Sequence, residues 1–224
     1  MSRPVHGGAV EGAVRRLLVA DRDERDGLGD FVARVVRLDQ AASVRLRASG
    51  DRVVAWASTP FEVLVSRSVP GEVQPRDVVV PANGLLAALA VVRDAEIDPG
   101  GPVDQQWLIE VPLDDSAWPL VQEIPAAEVE ALADKGIAQA RELAGPHGTA
   151  PDELLDRTVL TAVGGDARVA VPLRCLFALS GMGFIGGSLA GEAVRVSATP
   201  SWLRIDTSHG AVVRRRHALL PLLV

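Results

Sequence analysis

Val78-Val79-Val80-Pro81-Ala82-Asn83-Gly84-Leu85-Leu86-Ala87 recurs later in the chain as Val169-Ala170-Val171-Pro172-Leu173-Arg174-Cys175-Leu176-Phe177-Ala178, with the shared pattern V-x-V-P-x-x-x-L-x-A. Each copy reads as a short strand that stops at a proline. Proline cannot donate to a sheet ladder, yet its fixed φ suits the first turn of a helix. A second pair of segments also matches: Gly50-Asp51 through Thr59-Pro60 resembles Gly191-Glu192 through Thr199-Pro200. The two matches together predict a duplicated β-α-β-β-β unit, each strand-then-helix followed by antiparallel strands.

Outward from the first copy, apolar alternation predicts strands over 43–48, 52–57 and 61–69, with a hairpin turn at Ser49-Gly50-Asp51. A helix is expected from Asp30, as N-cap, to Leu38, with Phe31, Val32, Val35 and Val36 on its apolar stripe. The mixed-charge run Asp21-Arg22-Asp23-Glu24-Arg25-Asp26 reads as a solvated helix end or linker. Gln106–Leu113 reads as a strand, and Pro112, Asp114-Asp115-Ser116 and Pro119 mark an irregular connection. A helix is expected from Pro125 to Leu143. A capping box at Thr149 and Asp152 predicts another, running to about Val163. Past the second V-x-V-P the pattern is helix 173–180, a glycine-rich loop 181–190, and strands 193–198, 202–206 and 211–216.

The chain has 224 residues, 48% of them apolar, and a formal net charge of −6. This excludes global disorder and a generally basic, nucleic-acid-coating protein. The single cysteine, Cys175, excludes a disulfide framework and a multi-cysteine zinc site. No secretory h-region and no apolar run long enough to span a bilayer is visible, so a cytoplasmic location and no membrane contact are the expectation. Lys135 is the only lysine and Asn83 the only asparagine. Such bias reflects coding composition, so arginine here is not by itself a phosphate signal.

The order of these motifs is similar to that in the bacterial replicative sliding clamp, the ring-shaped processivity factor of DNA polymerase. Residues 30–93 follow the course of a clamp unit: helix, three strands, then a V-x-V-P-A-x-x-L-L segment. Trp118-Pro119-Leu120-Val121-Gln122-Glu123-Ile124-Pro125 resembles the inter-domain connector of that family. His217-Ala218-Leu219-Leu220-Pro221-Leu222-Leu223-Val224 resembles its C-terminus. The resemblance implies βαβββ units with helices lining a ring and sheets outside. It also implies a hydrophobic groove for partner peptides near the C-terminus, one wall of which would be Leu220, Pro221 and Leu222; the alternative for these residues is a final core strand with no partner. Clamp helices that follow V-P are basic. Arg174 keeps such a position, Asn83 and Gly84 do not, and Arg34, Arg37 and Arg174 are the DNA-facing candidates. Helix 125–143 sets Glu128, Glu130, Asp134 and Glu142 against Lys135 and Arg141, and an acidic lining repels phosphates.

Other motifs carry less. Gly181-Met182-Gly183-Phe184-Ile185-Gly186 fits G-x-G-x-x-G but follows a helix instead of preceding one, so it reads as a flexible loop. His6, His147, His209 and His217 are scattered, and Cys175 sits on an apolar helix. No catalytic residue, metal site or cofactor site is assigned. Arg214-Arg215-Arg216 reads as a solvated edge strand, and Trp56, Trp107, Trp118 and Trp202 as isolated packing residues.

The expected fold is α+β: two clamp-like domains, 1–118 with a charged N-terminal segment and 119–224 with a helix-rich start. The expected function is a non-enzymatic interaction or scaffold protein that does not encircle DNA. Its partner would be a protein or peptide, with a homo-oligomer left open. The alternative is a small-molecule-binding protein or enzyme that uses an inter-domain cleft near 114–125 or the loop 181–191.

Overall fold

The computed structural model describes residues 15–91, 94–112, 118–143, 151–187 and 191–216. Both copies of V-x-V-P are strand-then-helix, as expected. Strand β6 (Asp77–Pro81) leads into α2 (Ala82–Val91), and β10 (Ala167–Pro172) into α5 (Leu173–Gly181). Two further strand-helix starts accompany them. Strand β1 (Arg16–Leu18) precedes α1 (Arg22–Leu38), and β8 (Leu120–Pro125) precedes α3 (Ala126–Leu143).

The first and last of these four starts are complete units. After α1 come β2 (Ser43–Ser49), β3 (Arg52–Ser58) and β4 (Leu64–Pro70). After α5 come β11 (Ala193–Ala198), β12 (Trp202–Thr207) and β13 (Gly210–Arg215). The middle two are truncated. Among the described residues, α2 is followed by the two-residue β7 (Glu96–Ile97) alone. Helix α3 is followed by the single turn α4 (Asp152–Leu155) and then β9 (Thr158–Gly164). The short β5 (Glu72–Gln74) links β4 to β6.

Pairing makes the two ends of the chain mirror each other. Strand β6 pairs with β2 as β8 pairs with β11; β1 pairs with β7 as β10 pairs with β9; every pairing is antiparallel. Helices α1 and α2 pack together, and so do α3 and α5. The two complete units meet through their last strands, β4 and β13, and close one eight-stranded sheet in the order β6-β2-β3-β4-β13-β12-β11-β8. One face of this sheet carries Leu46, Ala55, Val65, Val212, Ile205 and Val196. These pack on Phe31, Val35, Leu85, Val129, Leu176 and other helix residues in a core shared by both halves.

Several local expectations are corrected. Helix α1 begins at Arg22, not Asp30. The Asp21 carboxylate accepts from Glu24 N at 3.0 Å, and Asp23 and Glu24 suit the positive end of the helix dipole. The charged run is therefore a helix start, not a linker. Gln106–Leu113 is not a strand. The free edge of β6 is taken by Val103 N donating to Val79 O at 2.7 Å and Val79 N donating to the Asp104 carboxylate at 2.7 Å. A 3-10 turn (Asp104–Gln106) and an irregular strap follow. The helix expected to reach Val163 stops after one turn, because Thr158–Val163 pairs with β10. The β-branched Thr158, Val159, Thr161 and Val163 favour that pairing. Strand β13 is interior, not an edge. The Gly50-Asp51 and Gly191-Glu192 segments both lead into strands, but into β3 and β11, which hold different places in their units. That second match is local likeness only. Loop 181–187 packs inward, with Met182, Phe184 and Ile185 buried.

Two helix glycines show how surroundings decide the sign of one substitution. Gly84 of α2 is exposed, and a Cβ there would meet nothing within 4 Å. A Cβ on Gly136 of α3 would collide with the fully buried Leu173 at the α3–α5 crossing. Gly84→Ala should stabilise the chain by about 0.5–1 kcal/mol. Gly136→Ala should destabilise it by about 1–3 kcal/mol. Urea midpoints at constant m-value read both.

Candidate functional site at the seam between the halves

Three residue pairs form the β4–β13 seam: Ser66 with Ala211, Val65 with Val212 and Leu64 with Val213. The seam opens close to a glycine for steric reasons. A Cβ on Gly210 would lie 2.7 Å from both the Phe184 ring and the Ser66 carbonyl. Beneath the sheet, two aromatic pairs cross from half to half. Phe31 stacks on Phe184 at 6.4 Å, and Phe61 meets Phe177 edge-on at 5.8 Å. Such pairs add about 0.5–1.5 kcal/mol each beyond buried area.

Beyond Leu64 the chain turns away from β13, and a pocket of about 410 Å³ lies in the fork. Val63, Leu64, Ile109, Trp202 and Val213 supply its apolar lining. Glu62, Glu110, Arg214 and Arg215 supply its charged rim. One wall is the turn Thr59–Val63, closed by Thr59 N and Thr59 Oγ1, both donating to Val63 O at 3.0 Å. At its tip Glu62 holds φ at +56°, a left-handed conformation unfavourable for a residue with a long side chain.

Arg174 of α5 holds that tip. Its side chain is 2% exposed. Its Nη1 donates to Phe61 O and to the Glu62 carboxylate, each at 2.9 Å, and its Nε donates to Asp156 at 2.8 Å. Arg214 of β13 donates to the same Asp156 oxygen at 2.8 Å. A buried guanidinium thus pins the first half to the second, with charge and donors both matched. The hydrogen bond from Arg174 holds the Asp156 carboxyl below its ordinary range, with the charge of Arg214 adding to it and partial burial opposing.

The opposite wall is the strap after the 3-10 turn. Trp107 Nε1 donates to Ile109 O at 2.6 Å, and Arg215 donates to the Glu110 carboxylate. A second pocket, of about 330 Å³, lies on the other side of the strap and shares Ser58, Thr59 and Ile109 with the first. The strap's far end, Val111, is buried on the outer face of the sheet with Trp56, Leu64, Ala211 and Val213. Trp107, Trp118 and Trp202 pack around them. The four tryptophans are one cluster, not isolated residues. Arg45 lies over Trp107 at 5.9 Å and Arg204 over Trp118 at 5.5 Å.

The structure places the other candidates as follows. Arg34 Nη1 donates to Met182 O at 3.1 Å and Gly183 O at 2.9 Å, and Arg37 Nη2 donates to Gly181 O at 3.0 Å. Leu220, Pro221 and Leu222 lie outside the described residues, as do His6, His147, His217 and Asp114-Asp115. Cys175 is fully buried, and burial pushes its thiol up to about 12, which leaves it a packing residue. A shallow depression of about 650 Å³ includes Trp118, Arg195, Arg204 and Asp206. Its ionic groups pair locally, Arg195 with Glu123 and Arg204 with Asp206. Among the described residues no group of three His, Cys, Asp or Glu could hold a metal ion. No helix of the described residues is long and apolar enough to cross a membrane. Sequence reading missed Glu62, Ile109, Glu110 and Arg215 as site residues. No motif marks them, because their three separate segments meet only in the folded chain.

Arg174→Met should cost about 3 kcal/mol, because the Phe61 carbonyl and the strained Glu62 turn lose their donor inside the fold. Asp156 adds a pH signature. Its folded pKa is depressed, so its contribution is complete above the unfolded value of about 3.9. It is then lost as pH falls through the folded value. The stability gap between the native chain and Asp156→Asn should therefore be constant near neutrality and close at acid pH, as read by urea melts across that range.

Residues 12–109 match a family model described as a domain of unknown function (DUF8010), and residues 113–219 match another (DUF8185). No curated protein matches the chain. The solved structures it is similar to include the DNA polymerase sliding clamp of Caulobacter crescentus, at 16% identity and a TM-score of 0.54, over 93% of this chain and 67% of that one. The Bacillus subtilis clamp is similar at 11% identity and a TM-score of 0.55, over 94% and 66%. A DNA polymerase III beta subunit described from Eubacterium rectale is similar at 12% and 0.55, over 90% and 64%. The chain thus spans about two thirds of the length of these clamps. The two matched domains together build the fold seen in bacterial DNA polymerase sliding clamps.

Proposed function

We propose that the chain is a non-enzymatic protein-interaction module on the sliding-clamp fold, that it takes a peptide at the seam, and that it does not encircle DNA. One observation carries the reading. Among the described residues, the strands that form the β4–β13 seam occur once. The equivalent flanks, after α2 and after α3, end in the single strands β7 and β9. A ring needs a seam at both ends of every subunit, and the described residues lack the strands to repeat this one. The reading divides the chain near residue 118 into two clamp-like domains. A soluble, cytoplasmic protein is part of it.

The charge of the helices supports the same view. Arg34, Arg37 and Arg174 are committed to carbonyls and carboxylates within the chain. Helix α2 carries no charged side chain. Helix α3 exposes Glu128, Asp134 and Glu142 against Lys135 and Arg141. Duplex binding depends on cations free to neutralise phosphates. The peptide site is supported by the apolar pocket at Trp202 and Val213 and by its place beside Arg214 and Arg215, the last residues of β13. By resemblance, Leu220, Pro221 and Leu222 extend its wall.

Two measurements test this. The chain should not retard duplex DNA in a gel at physiological salt, nor stay on circular plasmid through gel filtration. A shift that weakens steeply with added salt would overturn the reading. Deletion of residues 220–224 should leave the melting temperature nearly unchanged and remove peptide binding. A large loss of stability would instead make those residues a final core strand.

A further inference from the structure

We infer that the strap Leu108-Ile109-Glu110 is an internal competitor for the seam groove, and that the groove's partner is a peptide pairing a branched apolar residue with a carboxylate, as Ile109 and Glu110 do. This rests on the peptide-binding reading above and specifies it.

The strap forms a wall of both pockets: they share Ile109, together with Ser58 and Thr59 at the end of β3. Its two ends are held firmly. Trp107 lies under Arg45, and Val111 is buried among the tryptophans. Between those anchors the hold is slight. Leu108 is 91% exposed and Ile109 43%. Among the described residues, no backbone group of Leu108, Ile109 or Glu110 bonds to another backbone group. The Arg215–Glu110 pair is exposed on both sides, 63% and 57%. Exposed pairs of this kind contribute little to stability. The strap's middle is thus held by one short hydrogen bond from its own Trp107 Nε1 to Ile109 O, at 2.6 Å, and by that exposed pair.

Lifting widens the pocket floored by Val63, Leu64, Trp202 and Val213 by removing its Ile109–Glu110 wall, and Arg215 loses its carboxylate. The other cations of the rim do not come free. Arg214 stays on Asp156, and Arg174 stays on Asp156 and Glu62. Arg215 is therefore the one rim cation released by the movement, and its natural replacement partner is an acidic side chain. An apolar residue next to an acid matches floor and cation together. The strap already presents that pair in cis, at high effective concentration, so it lowers the apparent affinity of any peptide in trans by the fraction of time the groove stands open.

The probe is a fluorescently labelled peptide that carries Leu-Ile-Glu-Val between flanking glycines, measured by polarisation. The chain with Ile109→Ser and Glu110→Ser should bind it about tenfold more tightly than the native chain. A Leu-Ile-Lys-Val probe should not bind that variant, and adding Arg215→Glu should restore it. Equal affinity for native chain and variant, or indifference to the charge swap, overturns the inference. If the double variant fails to fold, Glu110→Lys alone frees Arg215 and carries the same comparison. A random peptide library selected against the strap variant separates this inference from the broader reading. Enriched apolar-acidic pairs support it. Enriched peptides of another pattern that lose binding on Trp202→Ala overturn it and leave the interaction function standing. No enriched peptide overturns both.

Discussion

Three antiparallel residue pairs between β4 and β13 hold the two halves in one sheet, and everything distinctive about the molecule sits on or around them. Three pairs of a ladder are a weak joint alone. The seam persists because it is reinforced on both faces. Phe31 with Phe184 and Phe61 with Phe177 close it from the helix side, and the tryptophan cluster closes it from the outside. Arg174 then adds direction. A buried guanidinium between Glu62 and Asp156 is satisfied only when the halves are in register, so it penalises misalignment more than it adds net stability.

The same joint sets the arrangement of the units. Among the described residues, three strands follow the helix in the first and last units, and the strands that follow α2 and α3 are β7 and β9. The strand-bearing units meet each other inside the chain, through β4 and β13. On the helix side, Arg34 and Arg37 donate to loop carbonyls and so fasten α1 to the turn after α5.

The connection between the halves is more than a linker. Pinned by Trp107 and Val111, it crosses the outer face at the seam's open end and forms part of the pocket wall. The tight Glu62 turn forms the facing wall and is held from beneath by Arg174.

By itself the sequence determined the local grammar. The proline after Val80 and after Val171 marks a strand end and a helix start, because a residue without an N–H can do one and begin the other. The alternation of Val44, Leu46 and Ala48 marks a one-sided strand, and the order of such segments is enough to show the α+β class and its clamp likeness. Where local signals conflicted, tertiary contact decided. Gly27 and Gly29 disfavour a helix, yet α1 runs through them because Asp21 caps it and its Leu28, Phe31, Val32 and Val35 face is buried. Residues 158–163 follow a capping signal, yet they pair with β10 because that strand's edge was open. The candidate site was illegible for a deeper reason. Glu62, Ile109, Trp202 and Arg215 share no spacing and no motif, and a pocket between distant segments exists only once β4 has found β13.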